Sequence, residues 1–384
     1  MTLYALKMLM GDRARYLGIL VGISFAALLI TQQSAIFVGL MQRTYSFIAD
    51  TPQPDLWVVD PDLEHHADSK PMLQQELFRV RGVDGVAWAV PMFKAFTKMR
   101  LPGGERRGCI VIGLDNDSLL GLPTSLVEGR VEDLRRADAV FVDHAEIAGK
   151  LATRDTDGSS RPLRVGDVLE LNDKRAVVAG SFRVLPAFFW EPVIYTTYTR
   201  AISFSPSERK QLNFVLVKAQ PGVDLASLQA RIEAVTGLRA YTSDEFKWLT
   251  ASYILEKTGI AVNFGIAVLL GFVVGTAVAG QTFFNFITDN LRYFGALKAL
   301  GTSNARILAM VLVQAGTVGV LGYGLGVGGA ALFGAVIGGT SLAFALPWPL
   351  LVISGVAILL IVLIAAVLSV RRVLTLEPGI VFRS

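Results

Sequence analysis

Cysteine and histidine are scarce in this chain of 384 residues, which has one cysteine, Cys109, and three histidines. One cysteine cannot form a disulfide bond within the chain, so each domain must be stabilised by its own core. His65 and His66 stand near acidic residues, but the sequence has no H-E-x-x-H motif and no cysteine beside them. A solvated loop is therefore the better interpretation of this pair, and we expect no metal site there.

Motifs for nucleotide binding and nucleophilic catalysis are missing as well. The sequence contains no G-x-x-x-x-G-K-[ST] loop, which cradles phosphates in many ATPases, and no G-x-S-x-G motif. We therefore expect that this chain is not itself an ATPase or a serine hydrolase, and that it binds no cofactor. Its basic residues show no nucleic-acid-binding pattern, so nucleic acid is not an expected partner.

Charged side chains are absent from four long segments of a sequence that is 52% hydrophobic. A helix needs about 20 residues to cross a hydrocarbon core of about 30 Å, and each segment is long enough. A buried helix in a soluble core would explain one such segment, but it does not explain four without Lys, Arg, Asp or Glu. We therefore predict transmembrane helices at 16–42 (with a stalk to about 50), 259–287, 307–338 and 350–370.

The distribution of charge predicts the topology. The two ends of the chain and the connection 288–306 carry nine basic and three acidic residues, whereas 43–257 is slightly acidic overall. Because short cytoplasmic segments are enriched in Lys and Arg, both termini and the 288–306 loop are expected in the cytoplasm. The large segment between the first and second spans is then extracytoplasmic.

That large segment, 51–242, has the pattern of an α+β domain. It contains short β-type runs bounded by Gly, Pro, Asp and Asn, such as the separate runs "GVAWAVP" and "FKAFTKMRL". Helices are predicted at 72–81, 143–152 and 224–236. We also consider a lobe inserted at about 101–175.

Shorter helices complete the prediction. Residues 1–15 are typical of an interfacial helix on the cytoplasmic surface, although a frayed extension of the first span is an equal alternative. Residues 243–258 form a predicted stalk helix, because Thr242 and Glu245 have the spacing of a capping box. The last segment, 371–384, is a cytoplasmic tail.

The loop 288–306 is the most informative stretch. As a helix over 291–300, it places Arg292, Gly295, Ala296 and Ala299 on one face, and Gly301 is a good helix stop. Such a face is almost without side chains, so the backbone of another protein could approach it closely. A plain interfacial connector is an equal interpretation of these residues alone.

This loop resembles the signature of FtsX/MacB-type ABC transporter permeases, a basic-x-acidic-x-Gly-x-Leu-basic-Ala-Leu-Gly-x-Ser pattern. The matching positions are Arg292, Gly295, Leu297, Lys298, Ala299, Leu300, Gly301 and Ser303. The order of one span, a large outer domain and three spans also resembles this family, and "VGDVLELNDKRAVVAGSFR" is similar to its Val-Gly-Asp strand pair. The runs "DLWVVDPD" (55–62) and "LEPGIVFRS" (376–384) resemble the DevC-like branch most closely. The usual acidic position is Tyr293 here.

The resemblance implies a MacB-like, type VII permease fold in the bacterial inner membrane, with the α+β domain in the periplasm. It implies a homodimer, a separate dimeric ATPase subunit that binds ATP and Mg²⁺, a membrane-fusion protein and a TolC-like outer-membrane duct. Its coupling residues would be Arg292, Gly295, Ala296, Lys298, Ala299 and Gly301. The implied function is mechanotransmission and export of an amphipathic substrate such as a lipid or glycolipid. The alternatives are an FtsX-like regulator of a periplasmic hydrolase and, less favoured, a membrane enzyme or receptor without an ATPase.

Polar and small residues inside the spans need a separate explanation, since uncharged amides in a bilayer normally face other helices. Gln32, Gln33, Asn263 and Gln281 are therefore predicted to lie in a dimer interface or to line a substrate groove. Small-xxx-small pairs such as Gly322/Gly326 permit close helix packing, either within the chain or between two copies.

Overall fold

The computed structural model describes residues 2–11, 13–68, 70–155, 158–189, 191–205, 212–338 and 342–374, with side chains from Lys7 to Arg371. The chain divides into two compact units. We call residues up to 40 and from 259 onward the membrane unit, and residues 41–258 the outer unit. The predicted motif at 376–384 lies outside the described residues.

Eleven α-helices occur in the described ranges. They are α1 (Thr2–Gly11), α2 (Arg13–Thr44), α3 (Ser46–Ala49), α4 (Gln74–Arg81), α5 (Tyr198–Phe204), α6 (Leu225–Thr236), α7 (Ser243–Lys257), α8 (Ile260–Asp289), α9 (Leu291–Ala299), α10 (Asn304–Ile337) and α11 (Trp348–Leu374). Four of them, α2, α8, α10 and α11, are long and apolar enough to cross a membrane. They coincide with the four predicted spans and extend each by a few residues.

The membrane unit is held together by close contacts of α2 with α8 and α10. A Cβ atom on Gly326 would lie 2.6 Å from the carbonyl oxygen of Ser24 and 2.8 Å from the backbone nitrogen of Leu28. Gly322 meets Ile23 in the same way, and Gly275 meets Ala26. The small-xxx-small glycines therefore pack helices within one chain, since only hydrogen at Cα allows backbones to approach so closely.

Twelve strands occur among the described residues of the outer unit. They are β1 (Leu56–Val59), β2 (Val86–Arg100), β3 (Arg106–Leu114), β4 (Leu126–Glu128), β5 (Ala139–Asp143), β6 (Thr153–Arg154), β7 (Ser160–Arg161), β8 (Val168–Leu171), β9 (Lys174–Phe182), β10 (Val193–Thr197), β11 (Phe214–Ala219) and β12 (Arg239–Thr242). Ten of them make one sheet in the order β12-β1-β11-β2-β3-β10-β5-β9-β4, with β8 beside β2 and β9. The predicted fold class, four candidate transmembrane helices and a large α+β domain between the first two, is confirmed.

Strand β2 is one continuous element of 15 residues, although we predicted two strands, one ending at Pro91 and the next beginning at Phe93. The first half of β2 pairs with β11, and the second half, from Phe93 onward, pairs with β3. Pro91 therefore lies where β2 has a strand neighbour on one side only, which is where a residue without an N–H donor is tolerated. The proline did not end the strand.

Side chains on both faces of this sheet are buried, and they alternate along the strands. In β1, Leu56 and Val58 join one core, whereas Trp57 and Val59 join the other. The predicted inserted lobe, 101–175, is not a separate compact unit among the described residues. Its strands continue the sheet through β2, and β10 inserts between β3 and β5.

One predicted helix of the outer unit is replaced by tighter turns. Where we predicted a helix at 143–152, the structure has a single 3-10 turn, His144–Glu146, followed by further turns. Asp143 ends β5 and its side chain accepts a hydrogen bond from the backbone of Ala145, so the carboxylate caps a turn at this point. The predictions at 72–81 and 224–236 correspond to α4 and α6.

The segments that connect the units contain defined helix ends. Helix α2 ends at Thr44, and Tyr45 separates it from the short helix α3. Helix α7 begins with the predicted capping box, in which Thr242 and Glu245 exchange hydrogen bonds. Gly259 has a left-handed conformation (φ 67°) between α7 and α8, so the stalk helix and the second span are distinct elements.

Candidate functional site

Helix α9 is a separate nine-residue helix between two candidate spans. It ends with a Schellman motif, in which the backbone N–H groups of Gly301 and Thr302 donate to the carbonyl groups of Lys298 and Leu297. Gly301 has a φ of 86°, a conformation that glycine adopts without strain. The predicted helix stop is therefore present, and the turn keeps α9 distinct from α10.

One face of α9 packs into the membrane unit. Phe294 is fully buried in the core of that unit, Gly295 is buried beside it, and Leu291 packs against the same core. We predicted Gly295 on the face open to a partner, and this is wrong. At about 100° per residue, Gly295 follows Phe294 toward the body of the unit, so its missing side chain serves internal packing.

The opposite face of α9 is open and is less bare than predicted. Arg292, Ala296 and Ala299 are exposed, as expected. Tyr293 and Leu300 are exposed too, by 66% and 84%. The open face thus carries two large apolar side chains in addition to the alanines, and the prediction of a surface almost without side chains is wrong.

The charges around α9 are mainly positive. Asp289, just before the helix, forms an ion pair of 3.0 Å with Arg15. Helix α9 itself contains no acidic residue, whereas Arg292 and Arg306 are exposed and Lys298 is half-buried. An approaching protein would therefore meet positive charge and apolar surface, but no unpaired carboxylate on the helix.

The predicted polar residues of the spans divide into two groups. Gln32 and Gln33 of α2 are half-buried within the membrane unit. Asn263 and Gln281 of α8 are exposed, and because they are 18 residues apart they share one side of the helix. Gln281 also donates a hydrogen bond of 3.3 Å to Asn285. It borders a groove of about 460 Å³ that is lined by Phe272, Val273, Thr276, Ala277, Gly280, Gln281, Phe284, Leu368 and Ser369.

His66 does not lie in a solvated loop, contrary to our prediction. Its Nε2 donates a 2.6 Å hydrogen bond to the carbonyl of Thr44 at the end of α2, and its Nδ1 accepts one from Lys94 Nζ. Lys94 also lies over the ring of Phe47, 4.4 Å from its centroid. No feature of the sequence pattern indicated this pairing, because the two residues are far apart along the chain.

Burial governs the protonation of this pair. Burial lowers the pKa of Lys94 to about 7. The pKa of His66 is also lowered, well below its usual value, mainly because the imidazole is buried and to a smaller extent because the charge of Lys94 is nearby. His65 packs against Tyr253 instead, with ring centroids 4.4 Å apart and the ring planes tilted by 36°. Among the described residues, no group of three or more His, Cys, Asp or Glu side chains is placed to hold a metal ion.

Comparison with known proteins gives two family matches that cover most of the chain. The MacB-like periplasmic core domain family matches residues 16–235, and the FtsX-like permease C-terminal family matches residues 265–378. An uncharacterized ABC transporter permease of Methanocaldococcus jannaschii is 25% identical over 167 residues, which is 42% of this chain. The match spans about two fifths (41%) of that relative's length.

Two solved structures with similarity to this chain are a periplasmic region and an extracellular domain. The periplasmic region of MacB from Actinobacillus actinomycetemcomitans is 14% identical, with 52% of this chain and 94% of that one covered and a TM-score of 0.38. The extracellular domain of the noncanonic ABC-type transporter YknZ from Gram-positive bacteria is 16% identical, with 48% and 92% covered and a TM-score of 0.35. These values describe a remote likeness.

The first family match alone covers more than half of the chain, and the second falls on α9 and the spans around it. Together they agree with the described architecture, in which a large α+β unit is followed by three long apolar helices. The chain belongs to the FtsX/MacB-type family of ABC transporter permeases.

Proposed function

We propose that this protein is the permease subunit of a tripartite ABC efflux system that exports an amphipathic substrate such as a lipid or glycolipid. In this proposal it lies in the bacterial inner membrane with both termini in the cytoplasm and the outer unit in the periplasm. The observation that carries the proposal is α9, a helix with one face buried in the membrane unit and the other open. Such a helix can receive a separate ATPase subunit, which would bind ATP and Mg²⁺.

Coupling would follow from how α9 is attached. Phe294 fixes one face of α9 in the same core as residues of α2, α8, α10 and α11, so a push on the open face acts on the whole helix bundle. Helix α2 has 32 residues without a break and is therefore about 48 Å long. A tilt of this helix would reach the outer unit, where a membrane-fusion protein and a TolC-like duct would receive the substrate.

A second copy of the chain would cover the amide side of α8. Asn263, Gln281 and Asn285 are exposed on a helix that is apolar enough to span a membrane. Amide groups that face lipid tails lack hydrogen-bond partners and are costly, so a neighbouring protein helix is the expected cover. The groove beside Gln281 joins apolar and amide surface, which suits an amphipathic molecule at such an interface.

The test is affinity purification of the tagged chain in mild detergent, with the bound ATPase subunit and its activity measured. Wild type is expected to retain the ATPase subunit. Ala299→Trp should lose most of it, because the large ring fills the open face of α9. Ala234→Trp, an exposed alanine of α6 in the outer unit, is the matched control and should bind normally.

A wild-type chain that retains no ATPase under these conditions would refute the proposal. Retention by Ala299→Trp at the wild-type level would refute the role of α9. Export and regulation are then separated by the neighbouring genes and by a transport assay. A fusion protein and substrate movement support export, whereas a peptidoglycan hydrolase and no transport support the FtsX-like regulator.

A further inference from the structure

We infer that the ATPase subunit holds α9 in an apolar pocket that receives Tyr293 and Leu300, with no ionic pair at position 293. This inference rests on the proposed function, because it takes α9 as the docking helix. Beyond the proposed function, it specifies that the contact is apolar and that Tyr293 and Leu300 select the partner.

Tyr293 and Leu300 form one stripe on α9. They are seven residues apart, so they lie two turns apart along the helix and within about 20° of each other around its axis. Ala296 lies beside the stripe between them and leaves the space next to both side chains open. The stripe therefore consists of two protruding side chains separated by a shallow depression, a shape that fits a pocket or groove.

The stripe faces away from the membrane unit. Phe294 points into the core and is 0% exposed, while Tyr293 and Leu300 lie on the side of α9 away from the buried Phe294 and Gly295. Helix α9 contacts α8 and α11, so its far side does not lie against either of these spans. A protein that approaches this side is therefore the occupant that we favour over lipid.

The electrostatics of α9 also constrain that partner. No acidic side chain occurs in Leu291–Ala299, and the neighbouring Asp289 is already paired with Arg15. A basic side chain aimed at position 293 would meet a phenol ring and the nearby Arg292. The surface that fits is an apolar pocket with no basic side chain aimed at α9.

Apolar contacts and ion pairs respond differently to salt. Salt screens exposed charges over a Debye length of about 3 Å at 1 M, whereas burial of apolar surface does not depend on that screening. Large apolar side chains at the centre of an interface also carry most of the binding energy. An apolar contact therefore predicts that binding persists in high salt and weakens when Tyr293 or Leu300 is truncated. An ionic contact predicts the opposite results.

The binding experiment titrates the purified ATPase subunit onto the full chain in nanodiscs. Wild-type affinity should change less than about threefold between 0.1 M and 1 M NaCl, since apolar contacts are not screened. Tyr293→Ala and Leu300→Ala should each weaken binding by about tenfold or more, as for central interface residues. Tyr293→Phe keeps the ring and should bind like wild type, and Tyr293→Glu should bind poorly.

A labelling experiment tests whether the stripe is open to water. In inside-out vesicles, a membrane-impermeant maleimide should label Tyr293→Cys, and the added ATPase subunit should protect it. Val320→Cys, on the lipid-exposed side of α10, is the control and should stay unlabelled. Cys109 is buried in the outer unit and does not interfere.

Each outcome has a defined meaning. Normal binding by Tyr293→Ala, or a loss of wild-type affinity of tenfold or more in high salt, overturns this inference. If Ala299→Trp abolishes binding at the same time, the proposed docking on α9 survives. An unlabelled Tyr293→Cys identifies lipid as the occupant and also overturns the inference. A wild-type chain that binds no ATPase at either salt concentration overturns both proposals.

Discussion

At the scale of single residues, His66 and Lys94 fasten the end of α2 to the sheet of the outer unit. His66 contacts the carbonyl of Thr44, and Lys94 belongs to β2. The backbone N–H of His66 also donates to the hydroxyl of Thr250 in α7, so this one residue contacts three elements. His65, Glu64 and Asp68 are titratable groups of the same loop, and Asp68 pairs with Lys70.

This arrangement predicts a pH dependence of stability. The pKa of Lys94 falls from 10.5 to about 7 in the folded chain, so the unfolded chain binds more protons between pH 7 and 10.5. The free energy of unfolding should therefore rise with pH across that window. The pKa of His66 is lowered as well, so stability should fall as the pH drops below about 6.5, where the unfolded imidazole is protonated.

Urea unfolding of the full chain in detergent at pH 7 and pH 9 measures this effect. Four of the five tryptophans belong to the outer unit, so fluorescence reports mainly on its unfolding. Lys94→Met should show a smaller rise in the free energy of unfolding between the two pH values. Lys98→Met replaces an exposed lysine of the same strand and should behave like wild type. Equal pH dependence in both variants would contradict the assignment to Lys94.

At the scale of elements, Gly326 is a point where the backbones of α2 and α10 approach each other closely. Gly326 meets backbone atoms of Ser24 and Leu28, which cannot move aside as a flexible side chain would. Gly326→Leu should therefore destabilise the membrane unit by about 1–3 kcal/mol or more, the usual cost of overpacking. Gly324→Leu is the matched control, because a Cβ atom on Gly324 meets nothing within 4 Å. Thermal unfolding in detergent should separate the two variants; equal melting temperatures would contradict this packing.

The elements also show what could be predicted from the sequence. The four spans were predictable, because the absence of charge over 20 or more residues has few explanations. The individual strands were largely predictable from their bounding turn residues. The strand order was not, since β10 lies between β3 and β5 although it follows them by many residues. We misinterpreted Pro91 as the end of a strand. Only the assembled sheet shows that β2 has a neighbouring strand on one side alone at this residue.

The candidate site was predictable in part for a similar reason. Helical spacing placed Arg292, Ala296 and Ala299 on the open face of α9. The same spacing placed Gly295 on that face too, and only the position of the core shows that it is buried. Exposure of Tyr293 and Leu300 likewise depends on which side of α9 packs against the unit. The pairing of His66 with Lys94 needs the tertiary fold.

At the scale of the whole molecule, Cys109 provides a test of topology. It is fully buried in β3, and burial, with a contribution from Glu191, raises the pKa of its thiol. A membrane-impermeant thiol reagent should not label the native protein from either side. After urea is added to spheroplasts, labelling from outside should appear, because the outer unit is expected in the periplasm. Tyr293→Cys should show the reverse accessibility, and labelling of Cys109 only in inside-out vesicles would contradict the topology.

The pairing of β1 with β12 has a consequence for how such permeases diverge. The chain enters the sheet of the outer unit at β1 and leaves it at β12, and Leu56 lies directly opposite Thr242. The points where the chain enters and leaves the sheet thus lie on adjacent strands, about 5 Å apart. A gene segment that encodes everything between them could be exchanged for another without a long linker. The outer unit is in this sense a cassette, whose replacement would leave the sequences of the apolar helices and of α9 unchanged.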